Sequence, residues 1–243
     1  MTRILEEDYA YATARVRAIE RRLTDASGFD RLIDAETTDD AMKQLMESCF
    51  GDGTDAGRQG WEMMLDQEPE RVLAFLAGLM PHPEILDLFR LRDDYLNAKR
   101  LLKMMYQGQD LTAFAGKSGG TVPVPVLLQA IVERRYGTLP DIMGEAVSEA
   151  MAEFGKKADP RDIDLVLDRA VFLHMNTLAA EIGNPFLTEL VALMTDMANI
   201  RIAIRGKLTG EARDFFQKAI LSGGSIDPAR FRAAVEKPLE AFV

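Results

Sequence analysis

The sequence predicts an all-α protein built from repeated helical units, and three observations carry that prediction. Apolar residues recur at spacings of three and four almost throughout, while period-two alternation is nearly absent. The one strand-like stretch, "TVPVPV" at 121–126, holds two prolines, which suits a turn or a helix lead-in better than a strand. A helical motif also returns, without a gap, 102 residues after its first appearance.

Taken in order, "ILEEDYAYATARVRAIERRL" is a long helix in which Tyr9, Ala12, Val16, Ile19 and Leu23 recur at spacings of three and four. "TTDDAMKQLMESC" opens with a capping-box pattern from Thr37 to Asp40 and continues as a helix. "GDGTDAGRQG" reads as a glycine-rich loop, and "EPERVLAFLAGL" as a helix starting with Pro69 in its first turn. From Pro83 runs "PEILDLFRLRDDYLNAKRLLKMMY", the longest regular segment of the first half. Beyond the loop "AGKSGGTVPVP" lie four more helical segments, ending in "NPFLTELVALMTDMANIRIAIRGK", for about ten helices in all.

"DDYLNAKRLLK" aligns with "TDMANIRIAIR", which puts Asp94 over Asp196, Asn97 over Asn199, Lys99 over Arg201 and Lys103 over Arg205. Downstream, "GGTVPVPVL" matches "GGSIDPARF" at an offset of 104, so two residues are added in the loop. Each unit runs helix, loop, Gly-Gly, Pro, helix. The expected division is a first unit over 1–119, a second over 120–222 and the start of a third over 223–243. By the same spacing the next Asp-x-x-Asn helix falls past Val243, so the third unit is expected to be incomplete. Its one helix, with Phe231, Val235 and Leu239 on its apolar side, either folds back on the second unit or exposes a sticky face.

On a helical projection, Leu88, Leu91, Tyr95, Ala98 and Leu102 form one stripe; Leu190, Leu193, Met197, Ile200 and Ile204 form its counterpart. The Asp and Asn border each stripe on one side and the cations on the other. Asp93, Asp94 and Asn97 together invite an enzyme reading, a magnesium-diphosphate site on a helix. The second copy carries Thr195 where the first has Asp93, so convergent carboxylates are lacking there. One Asp and one Asn per helix fit a role in tying helices together.

At 243 residues the chain suits one large domain or two smaller ones. The net charge of −10 argues against non-specific nucleic-acid binding. The charge is uneven: from Asn199 onward there are eight Lys/Arg against five Asp/Glu. That basic flank, with Arg201, Arg205, Lys207 and Arg213, is the candidate for a partner-docking surface. A single cysteine, Cys49, excludes an internal disulfide and fits a reducing compartment. No secretory signal is evident, and the apolar runs fall well short of the roughly 18–20 residues a membrane span needs.

Other chemistry is poorly supported. "AFAGKSGG" contains Gly-Lys-Ser, but Leu111 stands where a phosphate loop has its first glycine. Asp52 and Asp55 lack calcium-loop spacing, and His82, His174 and Cys49 do not form a zinc or dyad pattern. Trp61 and the methionines read as packing residues. No catalytic residue, metal or cofactor is expected.

In these residues the chain resembles the C-subunit family of archaeal and bacterial V/A-type rotary ATPases, equivalent to the d subunit of the eukaryotic vacuolar enzyme. The resemblance rests on the N-terminal "YAYATARVRAIERRLTDASGFDRLIDAETTDDAMKQL" and on the two Asp-x-x-Asn helices, and covers the whole chain. It implies a helical, pseudo-symmetric funnel with a non-catalytic role. Such a protein seats the central shaft on the membrane proteolipid ring, peripheral on the cytoplasmic face, and couples ion transport to ATP synthesis or hydrolysis. An unrelated α-solenoid interaction scaffold is the blander alternative. The family pattern has three units, against two complete ones and the start of a third here.

Overall fold

The computed structural model describes residues 6–47 and 61–237. Cys49, the glycine-rich loop at 51–60 and Leu239 lie outside the described residues. Among those residues there are eleven α-helices and no strand. They divide into two compact lobes, residues 2–86 and 87–243.

The first lobe holds α1 (Ala10–Glu20), α2 (Ala26–Ile33), α3 (Thr38–Glu47) and α4 (Trp61–Leu79), and ends in a 3-10 turn at Pro83–Leu86. Of the capping box expected at the start of α3 the Thr37 half forms, with Asp40 N donating to Thr37 Oγ1 at 3.2 Å, while the Asp40 carboxylate accepts from the Thr37 hydroxyl at 2.6 Å. Asp25 caps α2 by accepting from Gly28 N at 2.8 Å. The expected α1 stripe is only thinly covered, since Ala12 is its one buried residue while Ile19 and Leu23 are exposed. α4 corrects the expectation for Pro69, which lies inside the helix rather than in its first turn. An interior proline removes one i→i−4 hydrogen bond, a loss the helix here absorbs.

The second lobe runs through α5 (Asp87–Tyr106), α6 (Val124–Val132), α7 (Asp141–Lys157), α8 (Pro160–Ile182), α9 (Pro185–Leu208), α10 (Arg213–Ala219) and α11 (Pro228–Val235). "TVPVPV" leads into α6 as a bend. Asp159 and Asn184 cap α8 and α9 through their side chains, each followed by proline at the first helical position, where the missing N–H is harmless. α8 is the hub, packing on α5, α7, α9 and α10. Leu88, Leu91, Tyr95, Ala98 and Leu102 of α5 are all buried. Their counterparts differ: Leu193, Met197, Ile200 and Ile204 of α9 are exposed, and α9 buries Leu187, Val191 and Ala203 instead. Periodicity finds a face but not what covers it. At the end of the chain α11 folds back, and Phe231 joins Phe216 and Ile220 in a core to which Ile202 and Val235 add.

Within this lobe Tyr95 Oη lies 3.2 Å from His174 Nδ1, with the two rings edge-on. Burial holds the His174 imidazole below its ordinary value of 6.5, while the charges of Asp94 and Glu181 push it back up. A depressed value in the fold means the unfolded chain takes up the proton first as pH falls. Stability from this group is therefore complete above the ordinary value and lost below it. Lowering pH from about 7.5 to about 5.5 should reduce the thermal midpoint more in the wild type than in His174→Gln, which keeps a partner for Tyr95 without titrating. Parallel pH–melting curves check this; equal slopes would remove His174 from the account.

Candidate functional site

Asp94 and Asn97, three residues apart on α5, share a helical face and point at the loop that follows the helix. They lie inside the packed face rather than at its border, with 0% exposure each. The Asp94 carboxylate accepts from Thr121 N at 2.9 Å, from the Thr121 hydroxyl at 2.7 Å and from Val122 N at 3.0 Å. Asn97 pairs both ways with one residue's backbone: Lys117 N donates to Oδ1 at 2.8 Å, and Nδ2 donates to Lys117 O at 2.7 Å. Side chains thus supply the partners that loop amides would otherwise lack.

The same arrangement stands on α9. Asp196 accepts from Ser225 N at 2.9 Å, from the Ser225 hydroxyl at 2.5 Å and from Ile226 N at 3.2 Å. Asn199 pairs with the Leu221 backbone, at 2.7 Å to its N–H and 3.0 Å to its carbonyl. Thr121 and Ser225, and likewise Lys117 and Leu221, are 104 residues apart, the offset of the Gly-Gly motif. That motif now has a physical reason. A Cβ on Gly120 would sit 2.1 Å from Asp94 Oδ1, and one on Gly224 would sit 2.0 Å from Asp196 Oδ1. The carboxylate occupies the space where a side chain would go. Arg90 adds a brace to the first copy alone, donating to Gly119 O and Gly120 O; Ala192 stands at its counterpart position.

Burial raises the Asp94 carboxyl above the usual carboxylate range. The Thr121 hydroxyl, the Val122 and Thr121 amides and the Arg90 charge pull it back only in part. Chemically the group is engaged, because both oxygens already accept from protein donors. Asp93, by contrast, is only partly buried. Among the described residues no three His, Cys, Asp or Glu side chains group so as to hold a metal.

The four cations of the repeat separate into two situations. Lys99 Nζ donates to Asp168 at 2.5 Å and Lys103 Nζ to Asp164 at 2.7 Å, which ties α5 to α8. Arg201 and Arg205 on α9 are exposed and make no ion pair among the described residues. Of the other docking candidates, Lys207 donates to the carbonyls of Val235 and Lys237 at the end of α11, and Arg213 pairs with Glu236 at 3.0 Å. Sequence reasoning misses Thr121, Ser225, Asp164 and Asp168. A hydroxyl in the same place after both Gly-Gly pairs, and two aspartates four apart on one helix, are the signals that could have found them.

The profile of the family described as ATP synthase (C/AC39) subunit matches residues 12–243. The chain belongs to this family. The C subunit of the V-type sodium ATPase of Enterococcus hirae is 25% identical over 239 residues, which cover 97% of this chain and 72% of the relative. The C subunit of the V-type ATP synthase of Thermus thermophilus is 27% identical over 243 residues, covering 96% of this chain and 73% of the relative. Membership in the ATP synthase (C/AC39) subunit family thus extends over both lobes and both Asp-x-x-Asn helices.

Removing either buried carboxylate orphans two loop amides and a hydroxyl. Asp94→Ala and Asp196→Ala should each lower stability by about 2–4 kcal/mol in urea denaturation. An unchanged midpoint in either variant would mean that copy of the tie is idle. Gly120→Ala and Gly224→Ala should likewise destabilise. Gly155→Ala, on an exposed stretch of α7 where a Cβ meets nothing within 4 Å, should be neutral or stabilise by about 0.5–1 kcal/mol.

Proposed function

We propose that this chain is a non-catalytic central-stalk component of a V/A-type rotary ATPase. In that role it joins the central shaft to the membrane proteolipid ring and passes rotation between the ATP-handling head and the ion-carrying ring. The observation that carries the reading is the family match over residues 12–243. Relatives named as C subunits of a sodium ATPase and of ATP synthases agree with it.

The site geometry suits a mechanical role. The Asp–Asn pairs, whose spacing alone would also suit magnesium and diphosphate, accept from and donate to the protein's own loops. No helix among the described residues is long and apolar enough to cross a membrane. In this reading the chain meets the membrane from its cytoplasmic side through the proteolipid ring, and Arg201, Arg205, Lys207 and Arg213 contribute to contacts within the complex. The Asp-x-x-Asn units form the walls of a funnel-like array.

Affinity capture through this chain, after coexpression with the shaft and proteolipid components of a V/A-type complex, should recover both. Recovery of neither would overturn the proposal, as would magnesium-dependent turnover of ATP or diphosphate by the purified chain.

A further inference from the structure

The two Asp-x-x-Asn ties are built alike, yet their Gly-Gly turns are not held alike. In the first copy α5 grips the turn by its amides and by its carbonyls. Asp94 accepts from the Thr121 and Val122 amides. About one helical turn before it, Arg90 donates from Nε to Gly119 O at 3.0 Å and from a terminal nitrogen to Gly120 O at 2.6 Å. The other terminal nitrogen pairs with Asp87 at 3.1 Å, which steadies the guanidinium.

In the second copy Asp196 accepts from the Ser225 and Ile226 amides, but Ala192 stands where Arg90 stands and has no proton to donate. Among the described residues, the side-chain hydrogen bonds to the turn at 222–226 are those of Asp196 alone. Both ends of that turn are fixed. Leu221 is paired with Asn199 on one side, and Phe231 of α11 joins Phe216 and Ile220 in a core on the other. The turn is therefore a short strap held down by one carboxylate.

We propose that Arg90 is a latch on the first turn, and that the unlatched turn at 222–226 lifts from α9 while α10 and α11 stay seated. Lifting it breaks the Asp196 tie only. The first turn must also give up two hydrogen bonds from a guanidinium, which are stronger than those between neutral groups. Segments with few such ties open locally, well short of global unfolding. Opening uncovers Asp196, which is 4% exposed while the strap is down. The difference lies in the side chains of α5 and α9 themselves and does not depend on the stalk role.

Amide hydrogen exchange, followed by NMR on the full chain at a pH where closing outruns exchange, tests this. Each rate is normalised to its intrinsic value, and the Ala170 amide within α8 reports global unfolding. Ser225 and Ile226 should exchange about tenfold or more faster than Thr121 and Val122. Arg90→Ala should bring Thr121 and Val122 up toward that rate and leave Ser225 and Ile226 unchanged. Should that variant fold poorly, Arg90→Lys, which keeps the charge without the two-pronged reach, should show an intermediate rise. Ala192→Arg should slow Ser225 and Ile226, because Glu189 stands where Asp87 steadies Arg90. Equal protection of the two turns in the wild type, or first-turn protection unmoved by either Arg90 variant, overturns the proposal. So does exchange of Ser225 and Ile226 at the Ala170 rate, because the strap would then open only with the whole lobe.

Discussion

The second lobe depends on a carboxylate buried against backbone amides. The segments that follow α5 and α9 turn back over those helices without a strand to pair with. Each peptide group in them needs a partner once it leaves water. Asp94 and Asp196 supply acceptors for two consecutive amides and a hydroxyl, while Asn97 and Asn199 give one residue's backbone both a donor and an acceptor, as a neighbouring strand would. The rest follows from that. The spacing of three puts both side chains on one helical face, glycine must stand where the carboxylate lies, and a hydroxyl residue follows the glycine. Desolvating a charge opposes the arrangement, which is why the Asp94 carboxyl sits above its usual range although three donors point at it.

Much of the architecture is legible because it rests on local chemistry. The Thr37–Asp40 pairing, Pro160 and Pro185 after their Asp or Asn caps, and the 3.6-residue period need no tertiary information. The Asp-x-x-Asn positions stand out because they occur twice. Their partners do not, since a backbone N–H has no letter in a sequence, and only the Thr121/Ser225 correspondence hints at where the donors lie. Pro69 reads as a helix start because a proline's local preference is for the first turn, and the helix upstream of it overrides that preference. Asp164 and Asp168 escape notice because ion-pair partners about sixty to seventy residues apart carry no short-range signature.

The two stripes show why burial is harder to read than period. α9 is apolar on more than one side, with Leu187, Val191 and Ala203 buried and Leu193, Met197, Ile200 and Ile204 exposed. A helix of that kind asks for neighbours on each apolar side. α5 likewise exposes Phe89 and Leu96, but Arg92 and Arg100 interrupt them, so its one continuous apolar stripe is the buried one. Repetition of sequence therefore sets the tie to the loop in both copies, whereas cover for the stripe depends on which helix comes next in space.

A part that carries torque needs internal ties that do not slip under load, and the two kinds found here differ in that respect. Exposed pairs such as Arg213–Glu236 join long side chains in water, where salt screens them and rotamer freedom works against a fixed geometry. The Asp94 and Asp196 ties use short side chains, are shielded from solvent and accept from amides whose direction is set by the backbone. Breaking one strands a buried carboxylate and two N–H groups together, so the resistance to partial opening exceeds the sum of three ordinary hydrogen bonds. Placing that tie between a long helix and the return loop, twice, stiffens the connection by which each helix hands the chain on to the next. Under the proposed stalk role, rigidity at these two points is what the buried carboxylates contribute, in place of the chemistry their spacing first suggested.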